Sequence, residues 1–187
     1  FEQLKRFNSF EADTMDHATY GVKVLFEEGM IRQFIEEDTW DDVIRTAIAK
    51  HSDYELTGIT DERTLLHARL IRDADKLDNC RVKLEDAMET LLDLSADEVG
   101  KYAISPKVRE DAFAGKCICS KDRRTPMDYW VSYVAYFYDL NFQETLDIVA
   151  EEQYVKRIIG RVPYTNEQTK KTMEELERQL TEYVRRK

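Results

Sequence analysis

Two histidines and an aspartate, His17, His51 and Asp75, are spaced so that three separate helices would each carry a metal-ligand side chain toward the interior. Helical periodicity sets the directions. His17 extends the stripe His17, Gly21, Val24 at i, i+4, i+7, and His51 extends Ile44, Ala47 and Ile48 by the same spacing. Asp75 lies in Leu70–Cys80, LIRDADKLDNC, where Leu66, Leu70, Ala74 and Leu77 form an apolar arc with Asp78 inside it and Asp75 on its edge. An unpaired carboxylate in the interior is costly, so a buried one is neutralised, ion-paired or bound to a metal. Any one of the three residues alone is more readily a hydrogen-bonded core residue. Together they suit a metal. Imidazole mixed with carboxylate fits Mn, Fe, Co, Ni or Zn, or Mg with more waters, better than calcium, which prefers oxygen donors alone.

The neighbouring charges have lesser roles. Asp78 is placed to orient a ligand or a helix neighbour. Lys76 points away from the arc, toward solvent, a salt bridge or a substrate. Asp73, on the other edge, reads as structural, and His67 as a core or surface histidine.

The elements that must position these groups are all helical. Asp13, Thr14 or Asp16 caps a helix from His17 to about Glu28, stopped by Gly29. A short helix over Met30–Glu37 follows, then DDVIRTAIAKHS starting at Thr39 or Asp41. Gly58 marks a connector, and Thr60 or Asp61 caps the long helix that carries Asp75 and continues through Leu84, Met88, Leu91 and Leu92 to near Ser95. Ser105-Pro106 reads as N-cap and N1 of the next helix. The loop GKCICSKDRR holds Lys116, Lys121, Arg123 and Arg124, the densest basic cluster. Thr125-Pro126-Met127-Asp128, Asn141-Phe142-Gln143-Glu144 and Thr165-Asn166-Glu167-Gln168 start three further helices. The first is an aromatic core helix over Tyr129–Phe142, the second ends near Arg161, and the last is mostly charged with one stripe of Met173, Leu176, Leu180 and Tyr183 or Val184. No stretch alternates as a strand does, so the expected class is all-α.

With 187 residues, 42% hydrophobic and 35% charged, the chain has enough apolar side chains for a core. Its net charge of −10 disfavours a nonspecific hold on duplex nucleic acid or an anionic membrane, both of which need a concentrated positive field. Cys80, Cys117 and Cys119 form neither a disulfide framework nor a four-ligand zinc pattern, which suits a reducing compartment. With no apolar run near the roughly 20 residues of a membrane span and no signal-peptide pattern, the expected location is the cytoplasm. A homodimer is left open, for the sequence offers no register for one.

DHATYGVKVL, IRTAIAKHSDY and LIRDADKLDN, in that order, resemble the later part of the HD-domain superfamily of metal-dependent phosphohydrolases. The resemblance implies an HD-like helical bundle, a divalent metal, and a phosphorylated small molecule or nucleotide as substrate. It places His17 and His51 on the additional histidines that bind a second metal or the substrate phosphate, and Asp75 on the aspartate that closes the metal site. The family's earlier His and His-Asp doublet have no counterpart among His17, His51 and His67. In many relatives a phrase like FEQ follows the doublet closely, and this chain begins with FEQ, so the missing ligands are expected before Phe1. The organisation that follows is one helical domain over 1–187, with residues 1–95 as an N-terminally incomplete metal-site half and 96–187 as helices packing on it. A chain truly without the doublet is expected instead to be a non-catalytic helical binding or regulatory module.

Overall fold

The computed structural model of the protein describes residues 16–186, and every regular element among them is helical. Of the three expected first caps, Asp13 and Thr14 lie outside the described residues, as does the FEQLKRFNSF opening. The chain divides into two compact units, one ending at Arg72 and the other beginning at Asp73.

In the first unit Asp16 caps helix α1 (His17–Val22), its Oδ2 accepting from the amides of Ala18 and Thr19 at 3.1 Å each. The helix widens into a π turn over Lys23–Glu27 and stops at Gly29, whose φ of 75° is a left-handed conformation that glycine adopts without strain. Only Met30–Gln33 of the expected second helix forms, as one 3-10 turn. Helix α2 (Asp41–Lys50) opens with Asp41 and Asp42 and closes with Lys50, an order that complements the helix dipole. Thr39 does not cap it. The residue preceding it is Trp40, without a side-chain cap, and Asp41 is ion-paired to Arg32 instead. Gly21 of α1 lies against Ile48 of α2 as the periodicity predicts, a Cβ there standing 3.5 Å from the Ile48 side chain. Asp61 caps helix α3 (Glu62–Glu85) by accepting from the amide and hydroxyl of Thr64, which also holds its carboxyl below the usual range. Among the described residues the buried apolar side chains of this unit are three alanines, Ala18, Ala47 and Ala68, and Ile31.

Helix α3 departs from expectation in its rotation. The arc of Leu66 and Leu70 is more than half exposed, and Ala74, Asp75 and Asp78 are exposed with it. The buried positions are Ala68, Arg72, Asp73, Cys80 and Lys83, a face turned about 120° from the apolar arc. Asp75 and Asp78 are therefore not carried inward, and the buried acid is Asp73. Lys76, expected to face outward, is only 12% exposed and ion-paired to Asp139 at 2.8 Å. The physical reason is that three of the five buried positions are charged and satisfied by specific partners, so apolarity is a poor guide to which side packs.

In the second unit α3 ends at Glu85 rather than running to Ser95. Helix α4 (Met88–Leu92) restarts the chain and ends at Asp93 in a left-handed conformation, φ 56°. Ser95 and Glu98 form a capping box for α5 (Ala96–Val99). Pro106 opens α6 (Pro106–Phe113), and Thr125 with Asp128 boxes α7 (Pro126–Ala135). Asp128 is fully buried and also accepts from the Ser105 amide and hydroxyl, at 2.8 and 2.6 Å, so one carboxylate ties two helix starts together. The aromatic stretch supplies the core with Trp130, Phe137 and Leu140, together with Leu146, Ile158 and the final stripe Met173, Leu176, Leu180 and Val184. That stripe belongs to α10 (Glu167–Arg186). The expected single helix ending near Arg161 is two, α8 (Gln143–Glu151) and α9 (Tyr154–Ile159), broken at Gln153 with φ 53°. Asn141 does not cap α8 with its own side chain. Asp73 does so from 68 residues earlier, accepting from the amides of Asn141 and Phe142 at 3.0 Å and from Asn141 Nδ2 at 2.8 Å.

Candidate functional site

His17 follows the cap of α1 and His51 follows the last residue of α2, and their Nε2 atoms face one another at 2.9 Å. The rings meet edge to face, 78° apart, with centroids separated by 4.8 Å. Both side chains are half-buried, His17 being 31% exposed.

The other ring nitrogens decide what Nε2 can do. His51 Nδ1 stands 2.7 Å from the Ile48 carbonyl, an acceptor only, so this nitrogen donates and the Nε2 lone pair is left outward. His17 Nε2, 2.9 Å from that lone pair, is at hydrogen-bond distance and donates to it in the tautomer that protonates Nε2, while His17 Nδ1 stands 3.5 Å from Asp16 Oδ1. His51 at the C-terminal end of α2 also sits at the negative end of that helix dipole, which favours a cation. Two imidazole nitrogens each about 2.0–2.1 Å from one ion stand roughly 2.9 Å apart at a right angle and roughly 3.3 Å apart at the tetrahedral angle. The 2.9 Å of the pair equals the right-angle spacing and is equally the length of a ring-to-ring hydrogen bond.

Arg72 holds the His51 end of α2 in place. Buried to 4% exposure, its guanidinium donates to the carbonyls of His51 and Tyr54 at 3.0 Å each and to that of Asp53. Sequence reasoning passed over Arg72 because its partners are backbone carbonyls, which leave no mark in residue type or spacing.

Of the residues singled out from sequence, His17 and His51 are brought together. Asp75 belongs to the second unit and is exposed. Asp78, likewise exposed, pairs with Arg81 on its own helix at 3.2 Å. His67 Nδ1 donates to the Arg63 carbonyl at 2.8 Å. Among the described residues no cluster of three or more His, Cys, Asp or Glu side chains stands at metal-holding spacing.

Within the second unit a further group of titratable side chains gathers at Cys80. Its thiol lies 3.3 Å from both the Lys76 carbonyl and the Tyr136 hydroxyl, and burial pushes it up to about 11. Burial raises the Tyr136 hydroxyl well above its ordinary value and lowers the Lys83 amine, whose Nζ sits 4.1 Å over the Tyr133 ring. A thiol so raised stays protonated and is a poor nucleophile at neutral pH. Among the described residues no helix is long and apolar enough to cross a membrane. Set against family models, curated proteins and solved structures, the chain matches none of them.

Proposed function

We propose that this chain belongs to a metal-dependent phosphohydrolase of the HD type, acting on a phosphate ester or nucleotide, with His17 and His51 as ligands of a divalent metal or of the substrate phosphate. The observation that carries the reading is the facing Nε2 pair at 2.9 Å, two nitrogens of metal-ligand type that α1 and α2 bring together within the first unit. Asp75, by resemblance the aspartate that closes the family's metal site, is exposed in the second unit and is not proposed as their partner. A divalent ion at such a site supplies a water acidified toward neutrality. The histidines orient the ion or a phosphate oxygen, and Arg72 holds the His51 ring at its post.

The test is metal content of the protein by mass spectrometry together with phosphate release from a panel of nucleotides and phosphomonoesters. Stoichiometric Mn, Fe, Co, Ni or Zn with metal-dependent release is expected in the wild type, and loss of release is expected in His17→Ala and in His51→Ala with helicity intact. Unchanged turnover in both variants overturns the ligand assignment.

A second reading, a non-catalytic helical binding module, draws on the exposed apolar side chains of the first unit, Phe34 at 73%, Leu70 at 57% and Leu66 at 52%. Metal-free protein without phosphatase activity on any member of the panel favours this reading.

A further inference from the structure

The second unit carries a groove of about 390 Å³ that lies outside everything proposed above. Leu91, Leu92 and Asp93, at the end of α4, form one wall, and Arg124 through Pro126 with Tyr129 and Tyr133, at the start of α7, form the other. Its volume falls within the roughly 300–1,000 Å³ usual for small-molecule sites.

Each wall brings one charge of opposite sign. Asp93 and Arg124 are both exposed, and among the described residues neither side chain takes part in an ion pair or hydrogen bond. The backbone around each is nonetheless fixed. Asp93 N donates to Glu89 O at 3.0 Å, and Arg124 N donates to Asp128 Oδ2 at 2.8 Å. Leucine and tyrosine side chains line the rest of the groove. The two rings are held from behind the chain's own chemistry, Arg123 standing 4.3 Å from the Tyr129 centroid and Lys83 4.1 Å from that of Tyr133. Neither phenol hydroxyl has a hydrogen-bond partner among the described residues.

A simple anion would meet Arg124 but be repelled by Asp93, and a simple cation would meet the reverse. A small zwitterion with an apolar body satisfies both charges with its polar end and the leucine and tyrosine side chains with its body. We propose that this groove binds a free aromatic amino acid, its carboxylate on Arg124, its ammonium on Asp93 and its ring against Tyr129, Tyr133 and Leu92. Ordered rings and anchored backbone limit the entropy lost on binding.

The probe is L-phenylalanine, titrated calorimetrically into the full chain, with phenylpropionate lacking the ammonium and phenethylamine lacking the carboxylate as comparators. L-Phenylalanine is expected to bind about tenfold more tightly than either comparator, and Arg124→Gln and Asp93→Asn are each expected to weaken it about tenfold. Asparagine tolerates the left-handed backbone at position 93 as aspartate does. Absence of binding at millimolar L-phenylalanine overturns the proposal, as does equal binding of all three compounds or binding that both variants leave unchanged. The comparators are measured on the wild-type chain, so the outcome does not depend on the variants folding. It is also independent of metal content and phosphate release.

Discussion

His17 Nε2 and His51 Nε2 stand 2.9 Å apart across 34 residues of chain, with the Ile48 carbonyl behind one ring and the Asp16 carboxylate behind the other. The pair is held by local features at both ends: the cap that begins α1 and the guanidinium that closes α2. Neither feature involves the long helix's apolar arc.

Arg72→Lys keeps the positive charge but loses the planar fork that reaches three carbonyls at once. The substitution is expected to weaken divalent-metal binding about tenfold while far-ultraviolet circular dichroism changes little. Metal titration of wild type and variant side by side measures it, and identical affinities would show that the His51 end needs no such support.

Asp73 and Asp75, two residues apart on α3, should respond oppositely to the same change. Asp73→Asn removes a buried charge that accepts from two amides and a side-chain amide ahead of α8, and is expected to cost about 2–3 kcal/mol in urea unfolding. Asp75→Asn, on the exposed face, is expected to stay within about 0.5 kcal/mol of wild type. Equal effects would contradict the rotation of the helix.

Gly100→Ala places a Cβ 2.2 Å from the Pro163 carbonyl oxygen, where backbone on both sides must move. The Gly100 carbonyl meanwhile accepts from the amides of Thr165 and Asn166 at the start of α10, so the shift disturbs that start too. A loss of about 2 kcal/mol or more is expected, read by thermal or chemical denaturation.

Burial lowers the Lys83 amine below its ordinary 10.5, so in the window below 10.5 the unfolded chain binds more protons than the folded one. Lys83 therefore opposes folding most at neutral pH, and its penalty fades as pH rises through that window. Cys80, pushed up to about 11 from 9.0, acts in the opposite direction from pH 9 upward, so the comparison must be between proteins rather than along one curve. Lys83→Met keeps the aliphatic stem on Tyr133 and is expected to be as stable as wild type or up to about 2 kcal/mol more stable at pH 7. That advantage should shrink toward pH 10.5. Destabilisation of the variant at pH 7 would show that the ammonium, through its hydrogen bond to Asn79 Oδ1, is needed where it is.

The sequence by itself determined the all-α class, most helix starts and the stripe of Met173, Leu176, Leu180 and Val184, because caps and 3.6-residue periodicity are local properties of the chain. It also determined that His17 and His51 turn inward, since each continues an apolar stripe on a short helix. Tertiary structure alone decided the rotation of α3, and with it the burial of Asp73 and the exposure of Asp75. That face is selected by hydrogen bonds that Asp73 accepts from Asn141 and Phe142 and that Arg72 donates to the carbonyls after α2, partners many residues distant. An apolar arc records only what a side chain avoids. The partners that satisfy a buried charge are supplied by other parts of the fold, and they determined which side of the helix went in.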